Sequence, residues 1–404
     1  MKMKSLQKAF IKTLVGSLIL INSCKVADNK NDILQKVLEN LEHIKSATYS
    51  SKISASAPGD TTTFRTYYWY KKEYANPADT FIGSSFAWFQ PADTTKMYLY
   101  YDGLAEAYIE SDIKTISIDS FQTNTLPFRP ITPPFYNYTR SIIKYALETK
   151  DSISTDLKYF GDSLLFKLVI YADKQVEFHG KPVYNENPYG TGKEVSRYDI
   201  WISKSDYLPY RYRRSMSHQT SWESCKNVEF NKAKIEDFIP SKYFPSDYNI
   251  TVRGRQITAK IDLEGKTAPD WILKDFDNNP IALKDLKSKV LMIQFTGIGC
   301  GPCHASIPFL KQLVIDYKYK LKDFEFISIE TWSNNIDGIK KYYNSNGLNY
   351  KFLLSTEEIT KDYQVRGVPV FFILDENRVI RKIIWGYGKG TTDKEIKDAI
   401  DELI

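Results

Sequence analysis

Cysteine is scarce in this chain of 404 residues: Cys24, Cys225, Cys300 and Cys303 are the whole complement. So few and so unevenly placed, they exclude a small scaffold stapled by disulfides, and no second Cys-x-x-Cys pair exists to complete a zinc site. The apolar stretch near the N-terminus is far shorter than the roughly 20 residues a membrane-spanning helix needs. No internal repeat is visible. Acids are missing from the first 23 positions, which hold Lys2, Lys4, Lys8 and Lys12; taking these four from the 55 basic residues leaves 51 against 49 acids, so the formal charge drops from +6 to +2. The basic balance therefore belongs to the N-terminal segment and supports no polyanion site, and nucleic acid is not an expected partner.

What is present describes a folded chain. With 42% apolar and 26% charged residues it is globular, and its length calls for at least two cores. Twenty-two of the 29 tyrosines precede residue 260, which suggests that the two ends are built differently.

The segment MKMKSLQKAFIKTLVGSLILINSC has a basic head, an apolar stretch from Leu14 to Ile21, and then Asn22-Ser23-Cys24. It reads as an export signal. Its end resembles the lipobox of bacterial lipoproteins: Ile21, Ser23 and Cys24 fit, while Asn22 is a less usual middle residue. That resemblance implies removal of residues 1–23, acylation of Cys24, and a lipid-anchored protein of the bacterial cell envelope, facing the periplasm or on the outer membrane.

Residues 24–31 read as a tether. From Asp32 a helical stripe runs through Ile33, Leu34, Val37, Leu38, Leu41 and Ile44, and Asp32 with Gln35 has the form of a capping box. Short alternating or aromatic stretches follow: Thr48–Ser54, Phe64–Tyr70, Met97–Tyr101, Ile113–Ile118, Leu164–Tyr171, Tyr198–Ile202 and Leu208–Arg213. They predict an antiparallel sheet with one solvated face. The Pro-rich patch Leu126–Phe135 predicts a loop or lid before a short helix near Ser141–Leu147. A boundary between about Phe244 and Lys266 divides a Tyr-rich domain, 32–260, from a second, 262–404. The first, with Ile33 to Leu38, Ile44-Lys45-Ser46, and Tyr198 to Ile202 running into Leu208-Pro209, resembles the lipoprotein-carrier (LolA-like) fold. That implies a half-open barrel, mainly antiparallel β with an opening helix, able to hold a lipid, a peptide or a client protein; tyrosines that simply fill a sheet are the plainer reading.

The chemistry lies farther on. An apolar strand, Val290 to Ile293 continuing to Thr296, leads through Gly297-Ile298-Gly299 into Cys300-Gly301-Pro302-Cys303-His304, followed by a helical stripe of Phe309, Leu310, Leu313, Val314 and Tyr317. Free N–H groups and the dipole at a helix N-terminus favour a thiolate. Cys300 is the expected exposed nucleophile and Cys303 the buried resolving thiol; Pro302 in the first turn removes no helical hydrogen bond.

Across residues 262–404 the chain resembles the thioredoxin superfamily, and within it the TlpA/ResA-like reductases. The resemblance is carried by Ala268-Pro269-Asp270, the cysteine pair, Pro308, Gly367-Val368-Pro369, and the strand Phe371–Leu374 with the turn Asp375-Glu376-Asn377-Arg378. It implies an α/β thioredoxin fold and a redox-active Cys300–Cys303 disulfide. It also implies a cis proline at 369, and substrate contacts from Gly301, Pro302, Val368 and Pro369. The closing helix is predicted over Thr392–Ile404 with a Thr392/Glu395 capping box. Two departures stand out: Gly299 occupies the place of a common Trp, and Gln294 that of a buried acid. Glu330, a strand-terminal and ordinarily solvated carboxylate, and His304, ordinarily a first-turn side chain facing water, are candidates for tuning the thiols. The expected reaction is reduction of disulfide-containing client proteins through a mixed disulfide on Cys300, with electrons restored by a membrane thiol donor and no cofactor beyond the dithiol. A non-catalytic envelope binding protein and a peroxiredoxin-like peroxidase are the rivals; the peroxidase lacks its nucleophile three residues after Thr296, where Gly299 stands. Cys225 reads as a small strand residue.

Overall fold

Asn29 starts the first helix, its side chain accepting from the Asn31 N–H, so α1 spans Lys30–Glu42 and the last two residues of the expected tether are helical. The Asp32/Gln35 capping box is thereby corrected: Asp32 is a first-turn acid. The structure, a computed structural model, describes residues 29–56, 64–121, 131–185, 194–252, 262–320 and 323–404. The leader with Cys24, residues 126–130 of the Pro-rich patch and the stretch from 253 to 261 lie outside the described residues.

After α1 come β1 (Ser46–Ser56), β2 (Phe64–Ala75), β3 (Ser84–Gln90), β4 (Asp93–Tyr101), β5 (Glu106–Glu110) and β6 (Thr115–Asp119). Then follow α2 (Phe135–Glu148), β7 (Ile153–Phe160), β8 (Ser163–Ala172), and a two-stranded ribbon of β9 (Gln175–Phe178) with β10 (Pro182–Asn185). β11 (Glu194–Ser203), β12 (Pro209–Ser215), β13 (Thr220–Phe230) and β14 (Asn249–Val252) complete the set. Twelve of these strands form one open sheet in the order β14-β6-β5-β4-β3-β2-β1-β13-β12-β11-β8-β7. All neighbours are antiparallel except β14 on β6. α2 begins at Phe135, itself fully buried, so the last residue of the Pro-rich patch is helical, while residues 131–134 before it are irregular.

Side chains of α1 and α2 fill the inner face of this sheet. Leu34, Val37, Phe135 and Ile142 pack against Tyr49, Phe166, Tyr198 and Ile200. Phe238, Tyr243, Phe244 and Tyr248 pack against the cluster of Phe89, Met97 and Tyr100 on β3 and β4. Charges are buried as well. Lys71 and Glu223 pair at 2.6 Å, Ser51 and Tyr212 donate to the same carboxylate, and Lys71 Nζ lies 4.0 Å from the centre of the Trp88 ring. Glu73 accepts from the N–H groups of Tyr136 and Asn137 at the start of α2 and from the Tyr49 hydroxyl; burial nonetheless pushes its pKa up to about 7. Cys225, inside β13, is a buried free thiol whose pKa burial raises.

The second sheet has the order β16-β15-β19-β18-β17-β20-β21. Its members are β15 (Ile272–Asp275), β16 (Pro280–Ala282), β17 (Val290–Thr296), β18 (Phe324–Glu330), β19 (Lys351–Leu354), β20 (Val370–Leu374) and β21 (Ile380–Trp385). The helices are α3 (Gly301–Lys320), α4 (Ile336–Ser345), α5 (Glu357–Asp362) and α6 (Thr391–Asp401). β17 runs parallel to β18 and antiparallel to β20, and every residue of it is buried, as a continuous apolar run in a central strand requires. This is a thioredoxin fold. α6 is capped differently from expectation: Asp393 accepts from the Gly390 N–H, while Thr392 Oγ1 accepts from Gly388. None of the five buried clusters among the described residues draws from both sheets.

Candidate active site

Strand β17 delivers the chain to the reactive pair. After Thr296 the backbone turns through Gly299, held at φ +91° where a side chain would be strained, and the Cys300 N–H closes the turn on the Gly297 carbonyl at 3.0 Å. Cys300 then takes the N-cap place of α3. The Cys303 N–H donates to Cys300 Sγ at 3.2 Å, and the His304 N–H to the Cys300 carbonyl at 3.0 Å. The two cysteines form a disulfide with Cα atoms 5.2 Å apart. In this oxidised state Cys300 is 5% exposed, not the open nucleophile the sequence predicts, because the Val368 carbonyl oxygen lies 3.6 Å from its sulfur. Cys303 is buried as expected. Gly301 is exposed and Pro302 half-buried at the start of α3, while His304 is exposed, its ring 6.5 Å from that of Tyr342.

The Val368–Pro369 bond is cis, and the Gly386 N–H donates to the Pro369 carbonyl. Gln294, buried in β17, donates to Ser306 and accepts from Ser328, so an uncharged hydrogen-bonded bridge occupies the place of an acid.

Glu330 departs most from expectation. At the end of β18 it is 1% exposed, and its carboxylate accepts three backbone N–H groups: Ile298 at 3.0 Å, Trp332 at 2.8 Å and Ser333 at 2.9 Å. It therefore ties the loop before Cys300 to the loop after β18. Burial still dominates and lifts its pKa from 4.5 to about 7. A carboxyl raised in this way stabilises the fold fully below about pH 4.5, and that contribution is lost as pH rises through about 7. Glu330→Gln should thus remove roughly 2–3 kcal/mol of the stability lost by the parent between about pH 5 and about pH 8. Urea unfolding at both pH values measures it; an equal loss in parent and variant would contradict the assignment.

The sequence offers no sign that Trp332 belongs here. Its indole lies against Gly297, where an added Cβ would meet ring atoms at 2.4–2.8 Å, and it remains 44% exposed. The indole thus covers the backbone two residues before Gly299. Gly297→Ala should push this indole away and shift the tryptophan emission maximum, a change that should vanish in a Trp332→Phe background; an unchanged spectrum would count against the packing.

Among the described residues no group of three or more His, Cys, Asp or Glu side chains could hold a metal, and no helix is long and apolar enough to cross a membrane.

Three comparisons bear on this site. The Redoxin family model matches residues 263–400. Thiol-disulfide oxidoreductase ResA of Bacillus thuringiensis is 32% identical over 122 residues, covering 30% of this chain and 69% of the relative. Thioredoxin-like protein YneN of Bacillus subtilis is 31% identical over 140 residues, 34% of this chain and 79% of its own. Among solved structures, a thiol:disulfide interchange protein of the thioredoxin family from Chlorobium tepidum is similar over 34% of this chain and 99% of its own, at 23% identity and a TM-score of 0.30.

Proposed function

Since the chain belongs, through its C-terminal part, to the family of thiol-disulfide oxidoreductases that includes ResA, we propose that it reduces protein disulfides in the bacterial cell envelope through Cys300 and Cys303. The observation that carries this is the Cys300–Cys303 disulfide at the N-terminus of α3, beside the cis Val368–Pro369 bond. In the reduced enzyme the Cys300 thiolate attacks one sulfur of a client disulfide, forming a mixed disulfide and releasing one client thiolate. The Cys303 thiolate then attacks Cys300 Sγ, the second client thiolate leaves, and the two electrons have passed to the client. A membrane thiol donor restores the dithiol.

In this reading the α3 N-terminus lowers the pKa of Cys300, Gly301 and Pro302 form the client-facing turn, and the Val368 backbone beside Pro369 pairs with an extended client strand. Glu330 holds the Cys300 loop and, with a pKa of about 7, can take or give a proton near neutrality. His304 stands at the rim. Cys24 carries the lipid anchor. For the Tyr-rich domain, 32–260, the favoured role is client binding rather than lipid carriage, because α1 and α2 already fill the inner face of the sheet.

The test is trapping with Cys303→Ala, which removes the second attack and should leave envelope proteins held on Cys300 through bonds that dithiothreitol releases. Recovery of none from envelope extracts, with the variant folded, would favour the non-catalytic rival.

A further inference from the structure

We propose that the tip of the β7–β8 hairpin, formed by Tyr159 and Phe160, enters the interface of the bilayer that carries the lipid anchor; this rests on the reading of Cys24 as acylated. Tyr159 is 62% and Phe160 73% exposed, side by side at the end of β7, the edge strand of the large sheet. Adjacent strand residues point to opposite faces, so the tip is apolar on both sides.

The length of chain before the structure begins places this tip near the membrane. From Cys24 to Asn29 five peptide units can span at most about 18 Å. α1 starts at Lys30, whose Nζ donates to the Thr155 carbonyl, at 3.1 Å, and to the Thr155 hydroxyl, so the point where the anchor's tether joins the fold lies against β7 itself. Thr155 to Phe160 is about 17 Å along a strand. With the tether fully extended, the hairpin tip of an anchored chain lies at most about 40 Å from the lipid headgroups, and a shorter tether or a strand that points toward the bilayer brings it into contact.

The surroundings suit an interface. Lys204 reaches over the turn, donating to the Gly161 carbonyl with Nζ 5.1 Å from the Tyr159 ring centre. Lys158, exposed, pairs with Asp156 at 3.4 Å, and Asp162 shares the turn. Two bases balance two acids here, so aromatic insertion rather than charge drives the contact, and lysine stems can extend to the headgroups. The contact should therefore form on zwitterionic phosphatidylcholine, which carries no net charge.

The test uses the full acylated protein in phosphatidylcholine vesicles with brominated acyl chains. A Phe160→Trp variant should lose roughly half of its added emission, as expected for a ring seated at the headgroup and acyl boundary. Tyr184→Trp, at an exposed position on β10, should lose little. Flotation with the vesicles but no quenching at position 160 would overturn the docking while leaving the anchor intact. Equal quenching at both positions would overturn a specific tip contact, and failure to float would remove the anchor and the proposal together.

Discussion

Cys300→Ser lowers disulfide-reductase turnover by at least about a thousandfold, because a serine hydroxyl at neutral pH cannot replace a thiolate as nucleophile toward a disulfide sulfur. Cys303 cannot take over. It is the third residue of α3 and, at 2% against 5% exposed, the more deeply buried sulfur of the two, so a client sulfur is expected to meet Cys300 first. The partner variant behaves differently: Cys303→Ser retains the first attack and stalls on the mixed disulfide, releasing client only when an external thiol is added. Insulin reduction with dithiothreitol as donor, followed by mass measurement of the enzyme, separates the two. Retention of more than about a tenth of parent turnover in Cys300→Ser, or client bound to Cys303 in that variant, would reverse the roles.

The second large effect is on stability and lies far from the dithiol in sequence. Glu223→Leu leaves the Lys71 ammonium buried without its carboxylate, against the Trp88 ring, and withdraws the acceptor used by Ser51 and Tyr212. Breaking a buried pair in this way costs about 3–5 kcal/mol, whereas the attraction gained by forming it is largely offset by desolvation of both charges. The double variant Lys71→Met with Glu223→Leu should recover most of the loss. Urea unfolding of the parent, both single variants and the double variant gives the coupling energy. A double variant no more stable than Glu223→Leu would show that the pair stabilises for another reason.

The sequence is most legible where one physical demand dominates. The buried run Val290–Ile293 and the pair at 300 and 303 stand where their pattern and spacing predict, since a central strand covered on both faces tolerates no alternation and a two-residue gap fits a helix start, while the cis Val368–Pro369 bond stands where the family resemblance implies it. In the Tyr-rich region seven strands are predicted, yet the sheet has twelve. β3 is buried throughout its first four residues, Ser84 to Ala87, and so shows no alternation, while β7 exposes Ser154, Asp156 and Lys158 but sets Thr155 between Ile153 and Leu157 on its other face, which interrupts the apolar side. α2 begins six residues before Ser141 because Tyr136 and Asn137 find an acceptor in Glu73, a partner 63 residues away that no local pattern reveals. Glu330 is misread for a related reason. Its burial depends on Ile298, Trp332 and Ser333 folding over it, and sequence position alone shows only a carboxylate at a strand end. Burial of Cys300, with the Val368 carbonyl oxygen 3.6 Å from its sulfur, could not be read from the motif.

Gln294, bridged between Ser306 and Ser328, has an electrochemical consequence. It carries no titratable proton, so the central strand adds no ionisation coupled to oxidation of the pair. Reduction of the disulfide takes up two electrons and two protons, and below the thiol pKa values the midpoint voltage should fall by about 59 mV per pH unit, twice the 29.6 mV of a tenfold change in a two-electron couple. A bend in that line near neutrality that Glu330→Gln removes would report Glu330, whereas one that persists in the variant would report ionisation of the Cys300 thiol.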